Sequence, residues 1–61
     1  MMDLYIIVNE DIDGNYNVLL KHKHNDSIFD SKTAFNDLEC DNVIKKWVYD
    51  YNISDRDIID L

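Results

Sequence analysis

Apolar and polar positions change rhythm twice along this chain. Leu4-Tyr5-Ile6-Ile7-Val8 is an unbroken β-branched and aromatic run, the make-up of a strand. Tyr16-Asn17-Val18-Leu19-Leu20-Lys21-His22 predicts a second strand. Between them lies Asp13-Gly14, a dipeptide that closes type I′ hairpins because both positions tolerate positive φ. A two-residue loop there pairs Ile12 with Asn15 and Ile7 with Leu20. That register puts Tyr5, Ile7, Val18 and Leu20 on one face, and Leu4, Ile6, Val8 and Leu19 on the other. Cross-strand neighbours on a face stabilise a sheet, but two apolar faces are more than one helix covers. The second face is therefore expected to meet another element, a second subunit or a target.

Past His22 the rhythm changes. Asn25-Asp26-Ser27 breaks the strand, and Ser27-Ile28-Phe29-Asp30 reads as a short extended segment. Ser31 reads as a helix N-cap, with Ala34, Phe35 and Leu38 following at helical spacing. The polar stretch from Asn36 to Asn42 predicts a break, with Asp41 as a second cap. Val43, Ile44, Trp47, Val48 and Tyr51 then share one helical face, with Lys45, Lys46 and Asp50 mostly on the other. Asn52 suits a left-handed cap. In the tail, Ser54 and Asp57 suggest a capping box and a last helical turn. Ile58 and Ile59 would equally suit a short edge strand, and helix or turn is the reading preferred. The expected fold is α+β: a small antiparallel β-hairpin or three-stranded sheet packed by one or two helices, in one domain spanning residues 1–61.

Size sharpens this picture. A chain of 61 residues buries a modest share of its surface and gains from a disulfide, a metal or a partner subunit. Cys40 is the only cysteine, so an intrachain disulfide is excluded and a reducing, cytoplasmic setting fits. A homodimer becomes a live possibility. No signal peptide is read, because Leu4–Val8 is too short and follows Asp3. No run approaches transmembrane length.

Charge narrows the function. Thirteen acidic residues stand against six basic ones, for a net −7, and eleven of the acids are Asp. Such a field repels nucleic acid and anionic membrane and attracts basic surfaces. Direct nucleic-acid binding is disfavoured; binding to a protein that itself binds DNA is not.

Individual chemical sites fare poorly. Asn9, Asp11, Asp13 and Gly14 match the start of an EF-hand loop, but strands flank it and its twelfth position is Leu20, not Glu. His22 and His24, alternating on a strand, form a possible zinc pair, with Cys40 and Asp26 the only further ligands suggested. A polar strand end explains them as well. Cys40 lies between Glu39 and Asp41, which raise a thiol pKa and disfavour a nucleophile. Gly14 is the only glycine, so no phosphate-cradling loop exists. The expectation is no enzyme, no metal and no cofactor. Trp47 reads as core. Phe35 and Phe29 read as core or as exposed anchors.

The acids remain. Glu10, Asp11 and Asp13 cluster at the hairpin tip, Asp37, Glu39 and Asp41 alternate through the middle, and Asp55, Asp57 and Asp60 mark the tail. A solvated surface accounts for such runs; so does an array of carboxylates standing in for DNA phosphates. Short Asp side chains lose little rotamer entropy on binding, which favours a pre-organised mimic. Val8-Asn9-Glu10-Asp11-Ile12-Asp13-Gly14, running into Tyr16–His22 and then the Phe35 region, resembles the phage-encoded uracil-DNA glycosylase inhibitors. Those are short acidic DNA mimics with an acidic-tipped hairpin followed by helix, and they act as dimers. The resemblance covers about half the chain. It implies a host-takeover protein in the host cytoplasm that blocks the DNA-binding surface of a host or defence protein, uracil-DNA glycosylase first among candidates. It also implies an aromatic plug, for which Phe35 is the first candidate and Phe29 the second. The expected partner-binding set is Glu10, Asp11, Asp13, Asp37, Glu39, Asp41 and Phe35. The alternative is a homo-oligomeric structural or regulatory subunit that uses its apolar sheet face.

Overall fold

The computed structural model describes residues 3–61. The two β-branched runs form β1 (Leu4–Glu10) and β2 (Tyr16–His22), paired antiparallel. β3 (Ile28–Ala34) follows, then one helix, α1 (Asp37–Tyr51), a 3-10 turn (Asp55–Asp57) and β4 (Ile58–Asp60). The sheet order is β3-β2-β1-β4, with β4 parallel to β1 and the other pairs antiparallel. The fold is a small α+β one: a four-stranded, mostly antiparallel sheet with one helix on it.

The hairpin loop corrects the expected register. Gly14 N–H donates to the Asp11 carbonyl at 3.1 Å, and Asp11 N–H donates to the Asn15 carbonyl at 2.8 Å. The loop is thus three residues, Ile12-Asp13-Gly14, and only Gly14 has positive φ, at 83°. A turn followed by a left-handed glycine is the usual three-residue solution. The Asp11 carboxylate selects it by accepting from Asp13 N–H at 2.9 Å and Asn15 N–H at 3.0 Å. Ile7 therefore pairs with Leu19 and Ile6 with Leu20, one residue away from the expected register. A one-residue slip inverts the faces of a strand. Leu4, Ile6, Val8, Val18 and Leu20 consequently share one face, and all are buried. Tyr5, Ile7 and Leu19 share the other and are half-buried.

α1 begins later than its spacing suggested and does not break. Ser31 is not a cap: it pairs with Leu19 in the middle of β3, and Ala34 ends that strand, buried. The cap is Asn36, whose Oδ1 accepts from Glu39 N–H at 2.9 Å, while Glu39 Oε1 accepts from Phe35 N–H at 2.8 Å. This reciprocal arrangement satisfies two backbone donors. Asp37 and Glu39 in the first turn also favour the positive end of the helix dipole. A stretch that read as a breaker is therefore a strong start, and Asp41 lies inside the helix rather than capping a second one. Cys40 and Trp47 are buried against the sheet, with Val43, Ile44, Val48 and Tyr51 packed around them. Asn52 ends the helix at φ 55°, ψ 51°, its N–H returning to the Val48 carbonyl, as its type predicts.

The tail uses both readings in turn. Ser54 makes no side-chain cap, so the expected capping box does not form. Its carbonyl instead accepts from Asp57 N–H at 2.9 Å. The chain then extends as β4, placing Ile58 beside Ile6 and Ile59 beside Ile7. Ile6, Val18 and Leu20 are fully buried, each contributing about 1.5–3 kcal/mol of apolar transfer.

Candidate functional site

The β1–β2 loop and the start of α1 lie at one end of the molecule. Tyr16 joins them: it pairs with Glu10 on one side and Ala34 on the other, and its hydroxyl donates to Asp37 Oδ1. That hydrogen bond, with burial and the nearby charges of Asp37 and Glu10, pushes the phenol pKa up to about 12. The expected carboxylates Glu10, Asp11, Asp13, Asp37, Glu39 and Asp41 thus come from the end of β1, the loop after it and the start of α1, which Tyr16 links. None of the six basic side chains belongs to the loop or the first turn of α1.

The six acids do not have equal tasks. Asp11 holds the loop, Glu39 completes the cap and Asp37 receives the Tyr16 hydroxyl. Among the described residues, Glu10, Asp13 and Asp41 make no side-chain hydrogen bond or ion pair. The charges of these three are not used in a hydrogen bond or ion pair of the fold.

A cleft of about 370 Å³ opens between the first turns of α1 and the β1–β4 edge. Val8, Ile44 and Ile58 line it together with Asp37, Asp41 and Asp60. Cys40 lies in its wall. Its thiol pKa is raised, first by burial and then by Asp41, Asp60 and Asp37, the direction expected from its acidic neighbours. A protonated thiol in an acidic setting is a poor nucleophile. Asp60 was absent from the expected set because its position depends on the tail being a strand. Its place beside Val8 follows once β4 is drawn next to β1.

Apolar side chains accompany the acids. Ile12 at the loop tip is fully exposed, Phe35 is 66% exposed and Leu38 is 70% exposed. Phe35 is therefore exposed and not part of the core. Phe29 is not equivalent: its ring lies 5.5 Å from His22 and 5.4 Å, edge-on, from Tyr51. Trp47 is buried, as its place in the helical pattern suggests. Sequence spacing could not find Ile12 or Leu38, since each fits an apolar stripe until the register and helix rotation are known.

The histidines do not alternate on one strand. β2 ends at His22, whose N–H and carbonyl close a turn with Ser27 and Asp26. His24 lies in that turn, exposed, 3.9 Å from the Asp3 carboxylate. Among the described residues no three His, Cys, Asp or Glu side chains are grouped to hold a metal. Among the described residues no helix is long and apolar enough to cross a membrane. No family model, curated protein or solved structure matches this chain.

Proposed function

We propose that this protein is a non-enzymatic acidic inhibitor that occupies the DNA-binding surface of a nucleic-acid-processing protein. One observation carries the reading. Carboxylates from the end of β1, the β1–β2 loop and the start of α1 lie at the same end of the sheet, where Tyr16 pairs with Glu10 and Ala34 and bonds Asp37, and Ile12, Phe35 and Leu38 are exposed. Surfaces that bind DNA present Lys and Arg spaced for phosphates. Glu10, Asp13 and Asp41 supply opposite charges, and the cleft beside Asp37, Asp41 and Asp60 accommodates one basic side chain. Phe35 and Ile12 supply the apolar anchors that hot spots require. Charge then sets approach and register, and the anchors set residence. Uracil-DNA glycosylase is the first target to try, on the resemblance drawn from the hairpin and the Phe35 region.

The test is inhibition of uracil excision by the purified chain, repeated across a salt series. The expected result is inhibition that weakens as salt rises and falls with Phe35→Ala or with Glu10→Gln, Asp13→Asn and Asp41→Asn combined. If the glycosylase is unaffected, capture from bacterial lysate with DNA as competitor identifies another target. Recovery of no DNA-displaceable protein from that lysate overturns the reading.

A second reading has its own observation. Tyr5, Ile7 and Leu19 line the sheet face opposite α1, with Ile59 and Ile28 exposed beside them. A homo-oligomeric structural or regulatory subunit would cover that face with another copy. It calls for association that does not respond to salt and is abolished by Leu19→Lys.

A further inference from the structure

β3 is an edge strand of seven residues, and Ile28 to Thr33 are all exposed. An open edge offers unpaired N–H and C=O groups to any extended chain. We propose that a second copy of this protein pairs antiparallel along β3, centred on Ser31, joining two four-stranded sheets into one of eight.

The backbone shows which groups face outward. Ser31 N–H donates to the carboxylate of its own neighbour, Asp30, at 2.8 Å, and not to Leu19, its partner in β2. The Ser31 peptide is therefore turned to the open edge, where Asp30 caps it. Residues alternate across an antiparallel ladder between those that hydrogen-bond to one side and those that bond to the other. A two-fold axis centred on Ser31 then sets N–H against C=O twice, between Ser31 and Ser31 of the second copy.

The side chains choose the same register. A two-fold antiparallel pair keeps both copies' faces aligned only if the axis passes through a residue. Centring on Asp30 would oppose Asp30 to itself, and centring on Lys32 would oppose Lys32 to itself. Like charges directly opposite destabilise a pair. Centring on Ser31 sets Asp30 against Lys32 of the second copy, and Lys32 against its Asp30. In the dimer Asp30 leaves its own Ser31 N–H for that lysine, and the N–H passes to the second copy's Ser31 carbonyl. The extra residue at Phe29, where the β2–β3 register shifts, bends the strand and ends the regular ladder. The paired stretch is consequently short and the dimer is a weak one.

If Asp30 and Lys32 only guard the edge against pairing, the protein stays monomeric, and the experiment separates the two. Sedimentation equilibrium from micromolar to millimolar protein is the measurement. The wild type is expected to show a monomer–dimer equilibrium. Lys32→Glu or Asp30→Lys should weaken it roughly tenfold, through two symmetric pairs, and the combined Asp30→Lys, Lys32→Glu exchange should restore it. Ser31→Pro should abolish it while the circular dichroism spectrum stays unchanged, because the lost N–H does not bond to β2. A chain that stays monomeric throughout overturns the proposal. So does a dimer indifferent to these variants but lost in Leu19→Lys, which would place the contact on the sheet face.

Discussion

Two residues at the hairpin end carry more than their size suggests. Gly14 sits at φ 83°, and a Cβ built there would meet no atom within 4 Å. The cost of Gly14→Ala is therefore backbone strain alone, about 1–2 kcal/mol. Asn, which tolerates the left-handed region, should cost less. Urea midpoints of the two variants test this, and an alanine variant as stable as the parent would show that the loop does not enforce its turn. Tyr16 makes a pH prediction. Its pKa is raised to about 12 in the fold from about 10 in an unfolded chain. The folded state therefore holds the phenol proton more tightly, and the stabilisation is complete below about pH 10 and lost as pH rises through about 12. The stability advantage over Tyr16→Phe should shrink across that window in paired urea titrations. A constant difference would mean the bond to Asp37 contributes nothing.

At the scale of elements, the start of α1 is the sharpest case. Asn36→Ala removes the cap while leaving Glu39 in place, and should cost about 1 kcal/mol, or a fall in melting temperature of roughly 4–8 °C for a domain this small. Asn36→Asp should cost little, because its side chain caps equally well. If alanine is neutral, the helix is held by Cys40 and Trp47 against the sheet and not by its end. This element also shows what could be read from sequence. The inner stripe of α1, the left-handed Asn52 and the strands β1 and β2 were legible, since each rests on periodicity or a local residue preference, whereas the equally long β3 was not. The α1 start was not. Ser31, Asn36 and Asp41 all favour capping; β3 removes Ser31 by taking it into the sheet, and the bonds among Phe35, Asn36 and Glu39 set the start at Asn36 ahead of Asp41. The hairpin register failed for a related reason. Asp13-Gly14 fits a two-residue loop, but three hydrogen bonds involving the Asp11 side chain and carbonyl favour a three-residue one. The acidic end was legible as composition, whereas the division between structural and free carboxylates was not. That division depends on where Tyr16, Phe35 and Asn15 come to lie.

Across the whole molecule, the question is why a small domain would keep a net charge of −7 and gather unpaired carboxylates at one end. Self-repulsion destabilises a compact state, and a chain of this size has little stability in reserve. Asp11, Asp37 and Glu39 offset that cost through hydrogen bonds that hold the loop, Tyr16 and the helix cap. Glu10, Asp13 and Asp41 have no such return among the described residues. Neutralising those three together as Glu10→Gln, Asp13→Asn and Asp41→Asn should therefore stabilise the free protein. A rise in melting temperature of roughly 2–4 °C in low salt is expected, shrinking as added salt screens the repulsion. Neutralising Asp11 and Glu39 instead should lower it. A gain is what a binding surface that contributes nothing to folding requires, although stabilising surface changes are common in natural proteins and do not by themselves identify one. If the triple variant melts at or below the parent temperature in low salt, these acids are part of the fold's own support. The acidic end would then lose its claim to be a binding surface.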